Sequence, residues 1–237
     1  VVDQDFVHVS GLSRKLEFRT ITRKARSNNI VSKLPLVKKS SNTSNLPVLH
    51  VMGESPFSPG VPLSCCWAQH LRISPSRESF IDLAREYYTY LTNLIAGGHT
   101  REKIVDLTPT NILVQDDNTF TFIDQEWETT FPISTEFILF RGLFYFIQNH
   151  QTLFLKILNN SPGLTVDQFI HQCFRELGIE NNESLSTFIH WEESIQKTIC
   201  HERYGLTTTD FLDQHLHTTT HPVLSLILIS EPTRPER

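Results

Sequence analysis

Polar and apolar positions change rhythm along the chain. Residues 15–23 alternate, with Leu16, Phe18 and Thr20 on one side and Glu17, Arg19 and Ile21 on the other, the two-residue period of a half-buried strand. Ser27, Asn28 and Asn29 supply a turn, and residues 29–36 read as the returning strand of a hairpin. Residues 55–62, SPFSPGVP, are dense in Pro and Gly and read as an irregular connector. The period then becomes helical. Ser74-Pro75 predicts a helix start. Phe80, Leu83, Ala84, Tyr87, Leu91, Leu94 and Ile95 follow on one face, and Gly97-Gly98 ends the run. Ile112-Leu113-Val114 and the alternating Thr119–Ile123 run flank the turn formers Asp116, Asp117 and Asn118, which predicts a second hairpin. Residues 134–150 are apolar nearly all round, so that helix is expected to be buried. Arg141 inside it then needs a carboxylate or carbonyl partner, which the 103–128 region can supply. Residues 165–177 predict an amphipathic helix opened by a Thr165/Gln168 capping box and closed by Gly178; residues 184–200 continue the pattern.

Strands first and helices afterwards give an α+β chain. The expected division is a β-rich N-terminal lobe with its connector over 1–62, a helical lobe over 63–205, and a partly disordered extension over 206–237. The extension carries His215, His217 and His221, but no acid or Cys completes a metal-ligand spacing there. A chain of 237 residues with 39% hydrophobic content can bury the cores of a two-lobed fold or one large core. Its net charge of −5 argues against a nucleic-acid partner. Cys65, Cys66, Cys173 and Cys200 form neither a C-x-x-C pair nor a zinc spacing, so reduced thiols and a cytoplasmic location are expected. The longest apolar stretches are interrupted by Arg141 and too short to span a bilayer. A start at Val1 suggests a piece of a longer polypeptide.

The chemistry concentrates in residues 103–128, KIVDLTPTNILVQDDNTFTFIDQEWE. Asp106 and Asn111 share one short connection that Pro109 restricts. The second hairpin then returns the chain to Asp124, beside its own start. Asp and Asn oxygens are hard ligands suited to Mg²⁺ held among phosphate oxygens. An ordinary hairpin with surface acids would share only part of this pattern.

The stretch resembles the superfamily of protein kinases, aminoglycoside phosphotransferases and choline kinases. DLTPTN and IDQEW are most similar to kinase-like modules appended to bacterial methyltransferases or glycosyltransferases of surface-polysaccharide synthesis. The resemblance implies a two-lobed protein-kinase-like fold, with a small antiparallel sheet lobe and a larger, mostly helical lobe. It implies ATP and Mg²⁺ as cofactors and a sugar or glycan hydroxyl as acceptor, with a methyltransferase or glycosyltransferase domain in the same polypeptide. Asp106 would be the catalytic acceptor base, and Asn111 and Asp124 the metal ligands. Lys33, with Lys24 as runner-up, would hold the phosphates. Glu54, the first carboxylate after Lys33, is the candidate partner of that lysine.

Three departures stand out. The expected phosphate-covering loop, residues 10–15, has one glycine, Gly11, with Arg14 and Lys15 as compensating charges. Ile104 stands where the resembling families carry a loop His. Gln125-Glu126-Trp127 replaces the Phe-Gly that follows this Asp in protein kinases, so Trp127 is expected to pack the site floor and Glu126 to be solvated or salt-bridged. The alternative is a pseudokinase-like binding module that transfers nothing.

Overall fold

A computed structural model describes residues 6–11, 13–24, 29–37, 46–158, 164–179, 185–201 and 208–213. The chain is α+β. β1 (Phe6–Ser10), β2 (Thr20–Lys24) and β3 (Ile30–Pro35) open it, followed by the short strands β4 (Val48–His50), β5 (Glu54–Pro56) and β6 (Val61–Pro62). α1 (Leu63–Ile73) and α2 (Arg77–Ala96) come next, then β7 (Ile112–Val114), β8 (Phe120–Phe122) and β9 (Trp127–Thr129). α3 (Thr135–Asn149), α4 (Gln151–Ile157), α5 (Val166–Glu176), α6 (Leu185–Ile199) and α7 (Thr208–Leu212) complete the described residues.

β1, β2, β3 and β5 form one antiparallel sheet in that order, with Thr22 opposite Lys33 and Ser32 opposite Glu54. β6, β7 and β8 form a second sheet, and β4 pairs with β9. That last ladder, with His50 opposite Trp127, stitches the N-terminal strands to the chain after Asp124.

The expected strand over 15–23 starts later. Residues 16–18 form a 3-10 turn that buries Phe18, and Lys15 N–H donates to Ile199 carbonyl at 2.8 Å. Tertiary contact with α6 thus outbids the local alternation. α2 starts at Arg77, with the Ser76 side chain accepting from Ser79 N–H at 3.0 Å; Pro75 lies just outside the cap. α3 and α5 keep the expected caps at Ser134 and Thr165, the latter with both arms of its capping box. The segment immediately before Pro47, which carries no acid, and the histidines of the extension lie largely outside the described residues. α7 falls inside the expected extension yet buries Phe211 and Leu212, so the helical core reaches past residue 205.

The core sits among the helices. Trp67, Phe80, Tyr87, Phe146, Phe154 and Phe169 meet edge to face, stacked or tilted, with Trp67 and Phe146 centroids 5.1 Å apart. Gly142 of α3 is required by this packing, since a Cβ there would lie 2.5 Å from the Tyr87 ring. Among the described residues no helix is long and apolar enough to cross a membrane.

Candidate functional site

The site begins where α2 ends. Residues 101–104 make a 3-10 turn, and buried Ile104, Val105 and Leu107 anchor the next stretch in the core. The Tyr87 hydroxyl donates to Leu107 carbonyl at 2.5 Å. Asp106 is thereby left half-buried on a pinned loop, its side chain 21% exposed. A second 3-10 turn starts at Pro109 and ends at Asn111. Asn111 Nδ2 donates to Asp106 carbonyl at 2.8 Å and to its Oδ2 at 3.1 Å. With the amide hydrogens spent on these acceptors, the side-chain Oδ1 of Asn111 is the atom left for a cation.

The β7–β8 hairpin does what its pattern requires. Ile112 pairs with Phe122, and Ile123 N–H donates to Asn111 carbonyl at 2.8 Å, which carries Asp124 to the foot of the same turn. Asp124 adopts φ of 62°, a left-handed backbone uncommon outside glycine. Such backbone persists where surrounding contacts hold it, and it clusters at functional sites. Asp124 Oδ1 is shut off from solvent and faces the Lys33 ammonium.

Lys33 reaches Asp124 from β3 and donates to Glu126 Oε1 at 2.8 Å. Glu126 is 2% exposed and accepts from Arg14 Nη1 at 2.9 Å through its other oxygen. Buried His50 stacks on Trp127 with ring centroids 4.4 Å apart, its Nε2 3.8 Å from Glu126. The Arg14 guanidinium also lies over the Trp127 ring, at 5.1 Å. Trp127 is buried and lines the cavity, as expected of a floor residue.

Glu54 does not take the expected place beside Lys33. Side chains alternate across a strand, and Glu54 lies opposite Ser32, whose hydroxyl donates to it at 3.0 Å on the other face of the sheet. Glu126 and Asp124 are the acids on Lys33. Lys24, the runner-up, packs its ammonium over the Phe57 ring at 4.0 Å. The single-glycine loop forms a turn in which Arg14 N–H donates to Gly11 carbonyl at 2.8 Å, with Gly11 at φ of 76°. It is clasped to the end of α6, where His201 N–H donates to Ser13 carbonyl at 3.2 Å and Lys15 Nζ to Lys197 carbonyl at 2.7 Å.

Arg141 finds the partners its burial demands. Its Nε donates to Glu192 Oε2 at 2.6 Å, and its Nη1 donates to Val105 carbonyl and to Asp106 Oδ1 at 3.3 Å. Burial pushes the Asp106 carboxyl above its ordinary value, with the Arg141 and Arg14 charges pulling the other way. Burial also works on Glu126, but its hydrogen bond with His50 and the Lys33 and Arg14 charges prevail and hold it well below the usual carboxylate range. Burial lowers Lys33, and the Glu126 carboxylate opposes the shift.

A cavity of about 310 Å³ is lined by Arg14, Asp106, Asn111, Trp127, Arg141 and Tyr145 among others, while Lys33, Asp124 and Glu126 lie outside its lining. Asn111 and Asp124 offer two hard oxygen ligands, a set that fits Mg²⁺, which keeps waters and takes further oxygens from a phosphate substrate. The shielded Asp124 oxygen faces the Lys33 ammonium, a cation that phosphate would attract, and carries that fit. Among the described residues no group of three His, Cys, Asp or Glu is arranged to hold a metal without such help.

Sequence reasoning missed Glu126 as the lysine's acid and Arg14 as its second cation. Strand parity gave no signal for Glu126, because the chain turns at left-handed Asp124 and Glu126 N–H donates to Asp124 carbonyl at 2.9 Å. No protein-family model, curated protein or solved structure matches the chain.

Proposed function

We propose that the chain is an ATP- and Mg²⁺-dependent phosphotransferase of the protein-kinase-like type acting on a hydroxyl acceptor. The acceptor we favour is a sugar of a surface polysaccharide, with the chain a module beside a methyltransferase or glycosyltransferase domain in the cytoplasm. One observation carries this. Asp106 and Asn111 are hydrogen-bonded on one loop, while Lys33 crosses from the sheet to Asp124 at the end of the adjoining hairpin. Phosphoryl transfer needs that set of groups, an acceptor base, oxygen ligands and a phosphate cation, with little covalent chemistry from the protein.

In this mechanism Asp106 Oδ2 or Oδ1 accepts the proton of the acceptor hydroxyl as its oxygen bonds to the γ-phosphorus and the bond to the ADP oxygen breaks. Bound Mg²⁺ supplies neutralisation of phosphate charge, with Asn111 and Asp124 to hold it. Lys33 leaves Asp124 for the phosphates. Arg14 replaces the missing glycines by charge instead of close backbone approach. Trp127 and the clasped loop wall the cavity.

The test is binding, then transfer. Mg-ATP should raise the unfolding temperature, and Asp124→Asn should abolish the rise. Phosphate transfer to a glycan panel should vanish in Asp106→Ala. One observation favours a binding module without transfer: the cations of the site, Lys33 and Arg14, already sit on acids. Absence of any Mg-ATP response would select that reading.

A further inference from the structure

We propose that Arg141 is the positioning residue for Asp106, locking the carboxylate from α3 in a chain whose loop carries Ile104 in place of histidine. The proposal rests on the phosphotransferase reading above. Both oxygens of Asp106 are held by nitrogen donors from different elements. Asn111 holds Oδ2 at 3.1 Å from within the loop, and Arg141 holds Oδ1 at 3.3 Å from the helix. The same Nη1 takes the carbonyl of Val105, so one planar group fixes both the backbone before the aspartate and its side chain. A forked guanidinium is rigid enough to do this; an ammonium on a flexible stem is not.

The guanidinium is itself fixed from behind. Glu192 of α6 is 0% exposed, accepts from Arg141 Nε at 2.6 Å, and is held through its other oxygen by the Tyr145 hydroxyl and by Gln196 Nε2 at 2.8 Å. Arg141 lies over the Tyr145 ring at 5.6 Å. An arginine in the middle of a helix otherwise packed with Phe, Leu and Ile is a costly choice if the role is only to fill space. Buried ion pairs are often matched or bettered in stability by apolar residues of similar volume. Here the charged pair ends on Asp106, a carboxylate that lines the cavity. A misplacement of about 1 Å at a reacting group costs on the order of a hundredfold in rate.

The experiment uses Mg-ATP with water as acceptor, read as ADP release, beside direct Mg-ATP binding. In Arg141→Ala, kcat should fall about a hundredfold, while KM and Kd for Mg-ATP stay within about twofold. Added guanidinium should restore part of kcat without changing that Kd, which a purely structural role would not predict. Glu192→Gln keeps the volume and one acceptor oxygen for Arg141 Nε, and serves if the alanine variant does not fold. It should lower kcat with Kd unchanged and speed amide exchange over 105–111 relative to α5. Unchanged kcat in a folded variant, equal loss of kcat and ATP binding, or unaltered exchange over 105–111 would each overturn the proposal. A wild-type chain that neither binds nor turns over Mg-ATP overturns the phosphotransferase reading and this inference with it. Wild-type turnover that survives Arg141→Ala overturns this inference alone.

Discussion

Glu126→Gln isolates the charge cluster from any assumption about catalysis. The carboxylate is 2% exposed and is the shared acceptor of Lys33 at 2.8 Å and Arg14 at 2.9 Å. Glutamine keeps the volume but turns one donor toward a cation and removes the charge that both cations face. Breaking a buried pair by removing one partner costs about 3–5 kcal/mol. Lys33 and Arg14 side chains retain 16% and 22% exposure, so they relax partly into water or onto Asp124. That discount leaves about 3 kcal/mol as the expected loss. For a chain of this size it lowers the unfolding temperature by roughly 6–12 °C. The assay is thermal and urea unfolding of both proteins across pH. The Glu126 carboxyl is depressed in the folded state, so its contribution is fully present above its ordinary 4.5 and fades as pH falls below that value. The gap between variant and wild type should therefore hold between about pH 5 and 8 and narrow in acid. A difference under roughly 2 °C at neutral pH would refute the assignment of Glu126 as the acid that holds both cations.

Gly142→Ala should destabilise by about 1–3 kcal/mol despite the better helix propensity of Ala, because the new methyl meets a buried Tyr87 ring tethered to Leu107; urea unfolding reads it. Tyr87→Phe should cost about 1–2 kcal/mol by leaving the Leu107 carbonyl without that donor, measured the same way. In the transferase reading, kcat/KM should fall in acid with a limb above the ordinary aspartate value of 3.8, because burial raises Asp106 and only its ionised form accepts a proton; a pH–rate profile with a limb below that value contradicts it. Phe80→Ala should cost about 3–5 kcal/mol, since its buried ring packs on Phe154 at 5.0 Å.

Local periods and caps carried most of the helical part. α3 and α5 start where Ser134 and Thr165 cap them, and the hairpin turns where Asp116, Asp117 and Asn118 stand, with Asn118 at φ of 61°. Those features are decided within a few residues. α1, which buries Leu63, Trp67, Ala68 and Leu71, was not expected; it starts directly after the Pro-rich connector and precedes Ser74-Pro75. The partner of Lys33 was not legible, because nearness in sequence favoured Glu54 while the face parity of β3 and β5 excluded it. Arg14 at the cavity depends on α6, near the other end of the described chain, and no local pattern encodes that meeting. The demand of buried Arg141 for a carboxylate or carbonyl near residue 106 was legible, since an unpaired buried guanidinium is too costly to stand, but its nearer acid, Glu192 on α6, was not.

The clasp between Lys15 and Lys197 joins groups 182 positions apart. Closing so long a loop adds little equilibrium cost per extra residue, but contacts of wide sequence separation form slowly. A growing chain that has produced everything through α5 already owns Asp106, Asn111, Asp124 and Lys33. It still lacks the ledge on which its N-terminal turn comes to rest, so the front wall of the cleft is assembled late.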